Sequence, residues 1–174
     1  EGEGLGFGKG RAEREEHERA LAGLERGVEV AAEPKSKAAV IAAMGEVVEA
    51  IGRREEAVWR RLQAIEHSPG DGAIHDATLA AVREQGDVKP YVDKLEEVIV
   101  GRRRDEDSGT LASLLVRLGR VHEEDLSDWD EATSLYGRAE SLLDEPVAAW
   151  VALARVGEAR EDVPLQRRVL LKLV

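Results

Sequence analysis

The chain has 174 residues and a formal net charge of −11. That size suits one domain, and that charge opposes binding to a phosphate backbone, which requires a basic field. Cysteine is absent, which excludes a disulfide framework and thiolate metal sites.

Residues 1–10, EGEGLGFGKG, carry glycine at every second place and read as a flexible lead-in. Gly8 and Lys9 are similar to the end of a Walker loop, but that motif needs an earlier glycine where Glu3 stands and a Ser or Thr where Gly10 stands. Residues 11–35 form a helical segment with Leu21, Leu24 and Val28 on one face, ended by Pro34. The next helix sets Ile41, Met44, Val47, Val48 and Ile51 on one face and stops at Gly52, where a residue without Cβ takes the left-handed turn. Ala57, Val58, Leu62 and Ile65 follow in a second helix that breaks at Ser68, Pro69 and Gly70.

The same arrangement then recurs. Ile74, Leu79 and Val82 lead to Gly86, and Tyr91, Val92, Leu95 and Ile99 form the partner helix, with Pro90 in its first turn. The one basic run, at 101–104, is cancelled by the acidic residues directly after it. A charged spacer at 106–110 follows, with Ser108 expected to cap the next helix. Leu111, Leu114, Leu115, Leu118 and Val121 define that helix. Asp128 caps its partner, which carries Ala132, Leu135, Tyr136 and Ala139. A final pair begins at Val147 with Trp150, Leu153 and Ala154, restarts at Asp162 and Pro164, and ends in Val169, Leu170 and Leu171. With only 3% aromatic residues, the core is expected to be small and aliphatic, which suits helix against helix. A chain that starts at Glu1 and stops within VLLKLV reads as a piece of something longer.

A helix-turn-helix unit repeating at 34 residues, from Gly52 to Gly86, resembles the tetratricopeptide repeat (TPR) family. The residues that carry the resemblance are Ile41, Met44-Gly45, Val48, Gly52, Ala57, Ala64 and Pro69, and again Leu115, Leu118-Gly119, His122, Ala132, Tyr136 and Ala139. Arg61 departs from the pattern, standing where the family usually has a large apolar residue. The resemblance implies an all-α fold, a right-handed α-solenoid of antiparallel helix pairs. Its units would span 38–71, 72–105, 112–146 and 147–174 within a repeat region of 36–174, with the helix at 11–35 as the second half of a preceding unit.

The resemblance further implies a non-catalytic scaffold or adaptor that holds a peptide or protein segment in a concave groove lined by first helices. Carried over residue by residue, the groove is alanine-lined early, at Ala39, Ala42 and Ala43, and arginine-bearing late. It also includes Glu49, Glu123, Ala148, Val151 and Ala152. Arg83, Arg117, Arg120 and Arg155 are the candidate receivers of an acidic segment, since guanidinium pairs carboxylates with two parallel hydrogen bonds. The competing account is that they pair with Glu123, Glu124 and Glu158 on the same helices in water. Trp59, off the apolar stripe of its helix and beside Arg60 and Arg61, is a second candidate partner contact. The alternative function is a structural or regulatory arm of a larger enzyme or secretion machine, with its groove or ends filled by flanking chain.

No catalytic, cofactor or metal residues are expected. The histidines, His17, His67, His75 and His122, show no zinc-binding spacing; His67 and His75 read as solvated, and His122 as a replacement for a packed aromatic. The acidic cluster at 105–109 lacks the ligands of a calcium loop. No apolar run reaches the roughly 18 residues of a membrane span, and no signal peptide opens the chain. The expected partner is therefore a protein or peptide, with no nucleic acid and no membrane span, in the cytoplasm.

Overall fold

The computed structural model describes residues 4–102 and 107–174, with side chains from residue 12 onward. Among the described residues every regular element is an α-helix. The chain divides into two compact units, Glu1–Asp87 and Val88–Val174.

The first unit contains α1 (Gly4–Val30), α2 (Pro34–Ala50), α3 (Arg54–His67) and α4 (Gly72–Gln85). The lead-in expected over residues 1–10 is replaced from Gly4 by the start of α1. Extending an existing helix adds one hydrogen bond per residue, which offsets the roughly 1 kcal/mol that each glycine costs relative to alanine. Residues 1–3 lie outside the described residues. Pro34 does separate two helices: it stands in the first turn of α2, where its missing N–H is harmless. The two helices approach closely, because a Cβ on Gly27 would lie 3.3 Å from Val40.

α2 buries Ala38, Ile41, Met44, Gly45 and Val48 against α3, which buries Ala57, Val58, Arg61, Ala64 and Ile65. Between them Gly52 takes φ +84°. Its N–H donates to Glu49 O and that of Arg53 to Val48 O, at 2.8 and 3.1 Å, which is a Schellman closure. Gly86 repeats the device at φ +75° after α4. Asp71 caps α4 by accepting from Ala73 N and Ile74 N. His75 departs from expectation. It is buried, and its Nε2 donates to Pro69 O at 2.8 Å, satisfying a carbonyl in the α3–α4 turn that water would otherwise serve.

The second unit contains α5 (Lys89–Val100), α6 (Ser108–Glu124), α7 (Trp129–Glu140), α8 (Val147–Ala159) and α9 (Val163–Leu170). The cap of α6 is Asp107, whose carboxylate accepts from Thr110 N at 2.9 Å. Ser108, expected in that role, is the first helical residue. The rest of the charged segment, residues 103–106, lies outside the described residues. Leu111, Leu114, Leu115, Leu118 and Val121 are all buried, as are Ala132, Leu135, Tyr136 and Ala139 opposite them. Asp128 and Asp162 cap α7 and α9, accepting from Glu131 N and Leu165 N. The turns before these two helices use Ser127 and Glu161 at φ +55°.

α8 is rotated from the expected register. It buries Ala149, Ala152, Leu153, Val156 and Gly157, while Val147 is exposed. The glycine at the close approach is Gly157, whose added Cβ would meet Gln166 Cγ of α9 at 3.0 Å. Val169 is the buried anchor of α9. Trp129, Trp150, Val116 and Leu165 pack, half-buried, on the cluster of Ala132, Tyr136, Ala152, Leu153, Val156 and Val169.

Candidate functional site

The residues singled out from the sequence fall in both units, and each unit is described by itself. In the second, α6 and α8 run side by side. Ser113 and Arg120 on α6, with Ala148, Val151 and Arg155 on α8, are exposed, and Arg117 is half-buried. Arg120 donates from Nε to Glu124 Oε1 at 2.6 Å, one turn along its own helix, an exposed pair worth about 0.2–0.5 kcal/mol. Ala152, expected in the groove, is buried in the cluster beneath, a consequence of the rotated register of α8.

Arg155 is engaged differently. Its Nε donates to Glu123 Oε1 and its Nη2 to Glu123 Oε2, both at 2.7 Å, a bidentate pair between α8 and α6. Tyr136 Oη donates to the same carboxylate at 2.7 Å. Glu123, expected to line the groove, is only 7% exposed. Burial alone would raise its pKa, but the hydrogen bonds from Arg155 and Tyr136 outweigh that and hold it below the usual carboxylate range. Burial and the adjacent carboxylate push the Tyr136 hydroxyl up, so it serves as a donor throughout the ordinary pH range. The ring of Tyr136 occupies the space that a side chain at Gly119 would fill, since a Cβ there would lie 2.6 Å from Cε1.

A second cluster, with no signal in the sequence, gathers on Glu140 at the end of α7. Its carboxylate accepts from Trp150 Nε1 at 3.1 Å, Arg168 Nη1 at 2.9 Å and Lys172 Nζ at 2.6 Å. Burial raises its pKa, yet Lys172 and Arg168 bring the balance below the ordinary value. Lys172 also lies 5.7 Å above the Trp150 ring, within cation–π range.

In the first unit Arg83 is exposed near the end of α4. Trp59 is 51% exposed on α3, with the Arg60 guanidinium 4.9 Å from its ring centroid. An open hollow of about 440 Å³ lies at the start of the same helix, lined by Gly52, Arg53, Arg54, Glu55 and Glu56. Arg61, the departure from the repeat pattern, is buried. Its Nη2 and Nη1 donate to Glu49 Oε2 and Oε1 at 2.6 and 3.3 Å. That hydrogen bond holds Glu49 below its ordinary pKa. Of the early groove positions, Ala39 is exposed, and Ala42 and Ala43 are half-buried.

Among the described residues no group of three or more His, Asp or Glu side chains is placed to hold a metal ion. No helix among them is long and apolar enough to cross a membrane. His122 is packed, its side chain 13% exposed, and both ring nitrogens are buried without a hydrogen-bond partner.

No family model matches the sequence, and no curated protein matches it. Solved structures do. The chain is similar over 95% of its length to the crystal structure of BtubC (BKLC) from P. vanneervenii, covering 72% of that chain at 16% identity with a TM-score of 0.56. Over 94% of its length it is similar to the crystal structure of MamA, covering 93% of that chain at 16% identity with a TM-score of 0.51. Both are TPR-like repeat proteins. The likeness concerns the fold alone, which is an all-α, TPR-like helical repeat.

Proposed function

We propose that this TPR-like chain is a non-catalytic interaction scaffold that binds an acidic segment of a partner protein along its first helices. The observation that supports this most directly is the α6–α8 surface. Arg117 and Arg120 lie on α6, which touches α8, where Val151 and Ala148 are exposed, so the two helices offer donors for carboxylates together with small apolar side chains. In the first unit, taken by itself, Arg83 on α4 offers the same chemistry, and Trp59 a separate aromatic contact on α3. Arg155 borders the surface with its guanidinium held by Glu123, and Arg120 is paired with the exposed Glu124. Nucleic acid is disfavoured as a partner by the charge of −11, and protein partners fit a fold shared with repeat proteins.

The test is affinity capture from the native lysate with quantitative mass spectrometry, comparing wild type with Arg83→Glu/Arg117→Glu/Arg120→Glu after circular dichroism has confirmed folding. A protein captured by wild type and lost with the folded variant supports the reading. Capture that survives charge reversal sinks the acidic-segment reading and moves the contact to Trp59.

A second reading, a structural arm of a larger assembly, is favoured by α9. Val163, Leu170 and Leu171 are 65%, 51% and 71% exposed, an uncovered apolar row of the kind that another segment covers. Replacing Leu170 and Leu171 with Ser would abolish assembly in that case and leave the binding of an acidic partner intact.

A further inference from the structure

The two packed glycines define a common register. Glu49 stands four residues after Gly45, and Glu123 four after Gly119; Arg61 stands four after Ala57, and Tyr136 four after Ala132. The two helix pairs therefore place a carboxylate at the same point on the first helix and a hydrogen-bond donor at the same point on the second. In the first unit that donor is a guanidinium: Arg61 of α3 closes on Glu49 of α2, and the bond stays within one pair. In the second unit the donor is the neutral Tyr136, and the guanidinium comes from Arg155. Arg155 belongs to α8, in the following pair.

The source of the charge decides which helices the bond ties. A carboxylate as buried as Glu123 needs a cation, because an uncompensated buried charge is strongly unfavourable. Tyr136 offers a proton but no charge, so α8 must be in place for the site to be neutral. The apolar contact between the pairs is made by Ala132, Ala152, Leu153 and Val156, small smooth side chains whose attraction is non-directional. The fork of two 2.7 Å bonds accepts a single register. The Tyr136 ring packs directly against Gly119, where a Cβ would lie 2.6 Å from Cε1, which places the third donor.

We infer that Glu123, Tyr136 and Arg155 form the joint that fixes the α8–α9 pair onto α6–α7, with Arg155 as a positioning residue and not a partner contact. The role is independent of what the chain binds. The binding surface is affected through it only because Val151 and Ala148 ride on α8.

The test is hydrogen exchange read by mass spectrometry on four forms of the whole chain: wild type, Arg155→Ala, Tyr136→Phe, and Tyr136→Arg/Arg155→Ala. The double variant moves the guanidinium into the helix that supplies it in the first unit. Arg155→Ala is expected to speed exchange in peptides from α8 and α9 about tenfold, with α2 and α3 unchanged. Tyr136→Phe, which keeps the guanidinium fork, should stay close to wild type. In the double variant Glu123 is neutralised again from α7, so α6 and α7 should exchange as in wild type while α8 and α9 remain fast. Wild-type exchange of α8 and α9 in Arg155→Ala overturns the inference. So does recovery of α8 and α9 in the double variant, since neutralising Glu123 would then suffice without a tie. Should either variant fail to fold, Arg155→Lys keeps the charge and loses the fork. Faster exchange confined to α8 and α9 supports the joint, and wild-type exchange overturns it.

Discussion

The α2–α3 and α6–α7 pairs solve one packing problem with different residues. Each brings a glycine of its first helix against its second, but the fit is not equally tight. A Cβ at Gly45 would meet Arg61 Cγ at 3.2 Å and Ala57 O at 3.3 Å, whereas at Gly119 it would lie 2.6 Å from a fully buried Tyr136 ring. Each pair hydrogen-bonds a glutamate of its first helix from its second, one a carboxylate that remains 42% exposed and the other a buried one whose cation comes from α8. Glycine makes the left-handed turn in the first unit; Ser127 and Glu161 make it in the second. A common backbone therefore tolerates loose, locally closed chemistry in one unit and a tight, longer-range version in the other.

Glycine replacement should separate the pairs most. Gly119→Ala is expected to cost about 3 kcal/mol and Gly45→Ala about 1 kcal/mol in urea unfolding, since overpacking costs roughly 1–3 kcal/mol and Arg61 can yield where the Tyr136 ring cannot. Equal losses would break the comparison. Next come the cations. Arg155→Ala should cost about 2 kcal/mol, less than the 3–5 of a fully buried pair because Arg155 is half-exposed. Arg61→Leu should be neutral or stabilise by up to about 1 kcal/mol, because water can hydrate Glu49 and leucine restores an apolar contact. A large loss in Arg61→Leu would show that the first unit depends on its ion pair as the second does.

Acid should act in the same order. Glu49 is held low by the hydrogen bond from Arg61, and Glu123 by Arg155 and Tyr136 against its burial. For carboxylates depressed on folding, the stabilisation is complete above the unfolded value, near 4.5, and is lost as pH falls through the lower folded values. The midpoint temperature should thus drop as pH falls below about 4.5, and Glu123→Gln should flatten that acid limb more than Glu49→Gln. The smallest effect belongs to the turns. Glu161 closes the end of α8 with the bonds that Gly52 makes after α2, so Glu161→Gly should stabilise by about 0.5 kcal/mol while Gly52→Ala destabilises by about 1 kcal/mol, read by thermal melts.

Local chemistry was legible in the sequence. Gly52, Gly86, Pro90, Asp128 and Asp162 act over a few residues, and the structure places each in the turn or first helical turn expected of it. The repeat itself was legible because small residues recur wherever two helices meet. Ser108 was read as the cap of α6 because Asp107 beside it offers an equivalent oxygen, and only backbone geometry chooses between them. The register of α8 was obscured by its composition. In VAAWVALARVGEA almost every face is apolar or small, so periodicity does not single one out. His75 was misleading for another reason. Its partner, the Pro69 carbonyl, comes from chain geometry that a spacing pattern does not encode, and a polar residue on a helix looks solvated until its neighbour is known.

The neighbour relations also bear on time. The main contacts within each unit join helices adjacent in the chain, α2 with α3, α3 with α4, α6 with α7 and α8 with α9, while α6 with α8 skips one. Adjacent helices meet by closing short loops, which is fast, so hairpins such as α2–α3 and α6–α7 should form early on the folding pathway. The bond from Arg155 to Glu123 spans 32 residues and requires α7 to be seated first. It belongs after the barrier. Its loss should leave the folding rate nearly unchanged and show in the unfolding rate, so the same guanidinium that fixes a register also sets how long the finished fold persists.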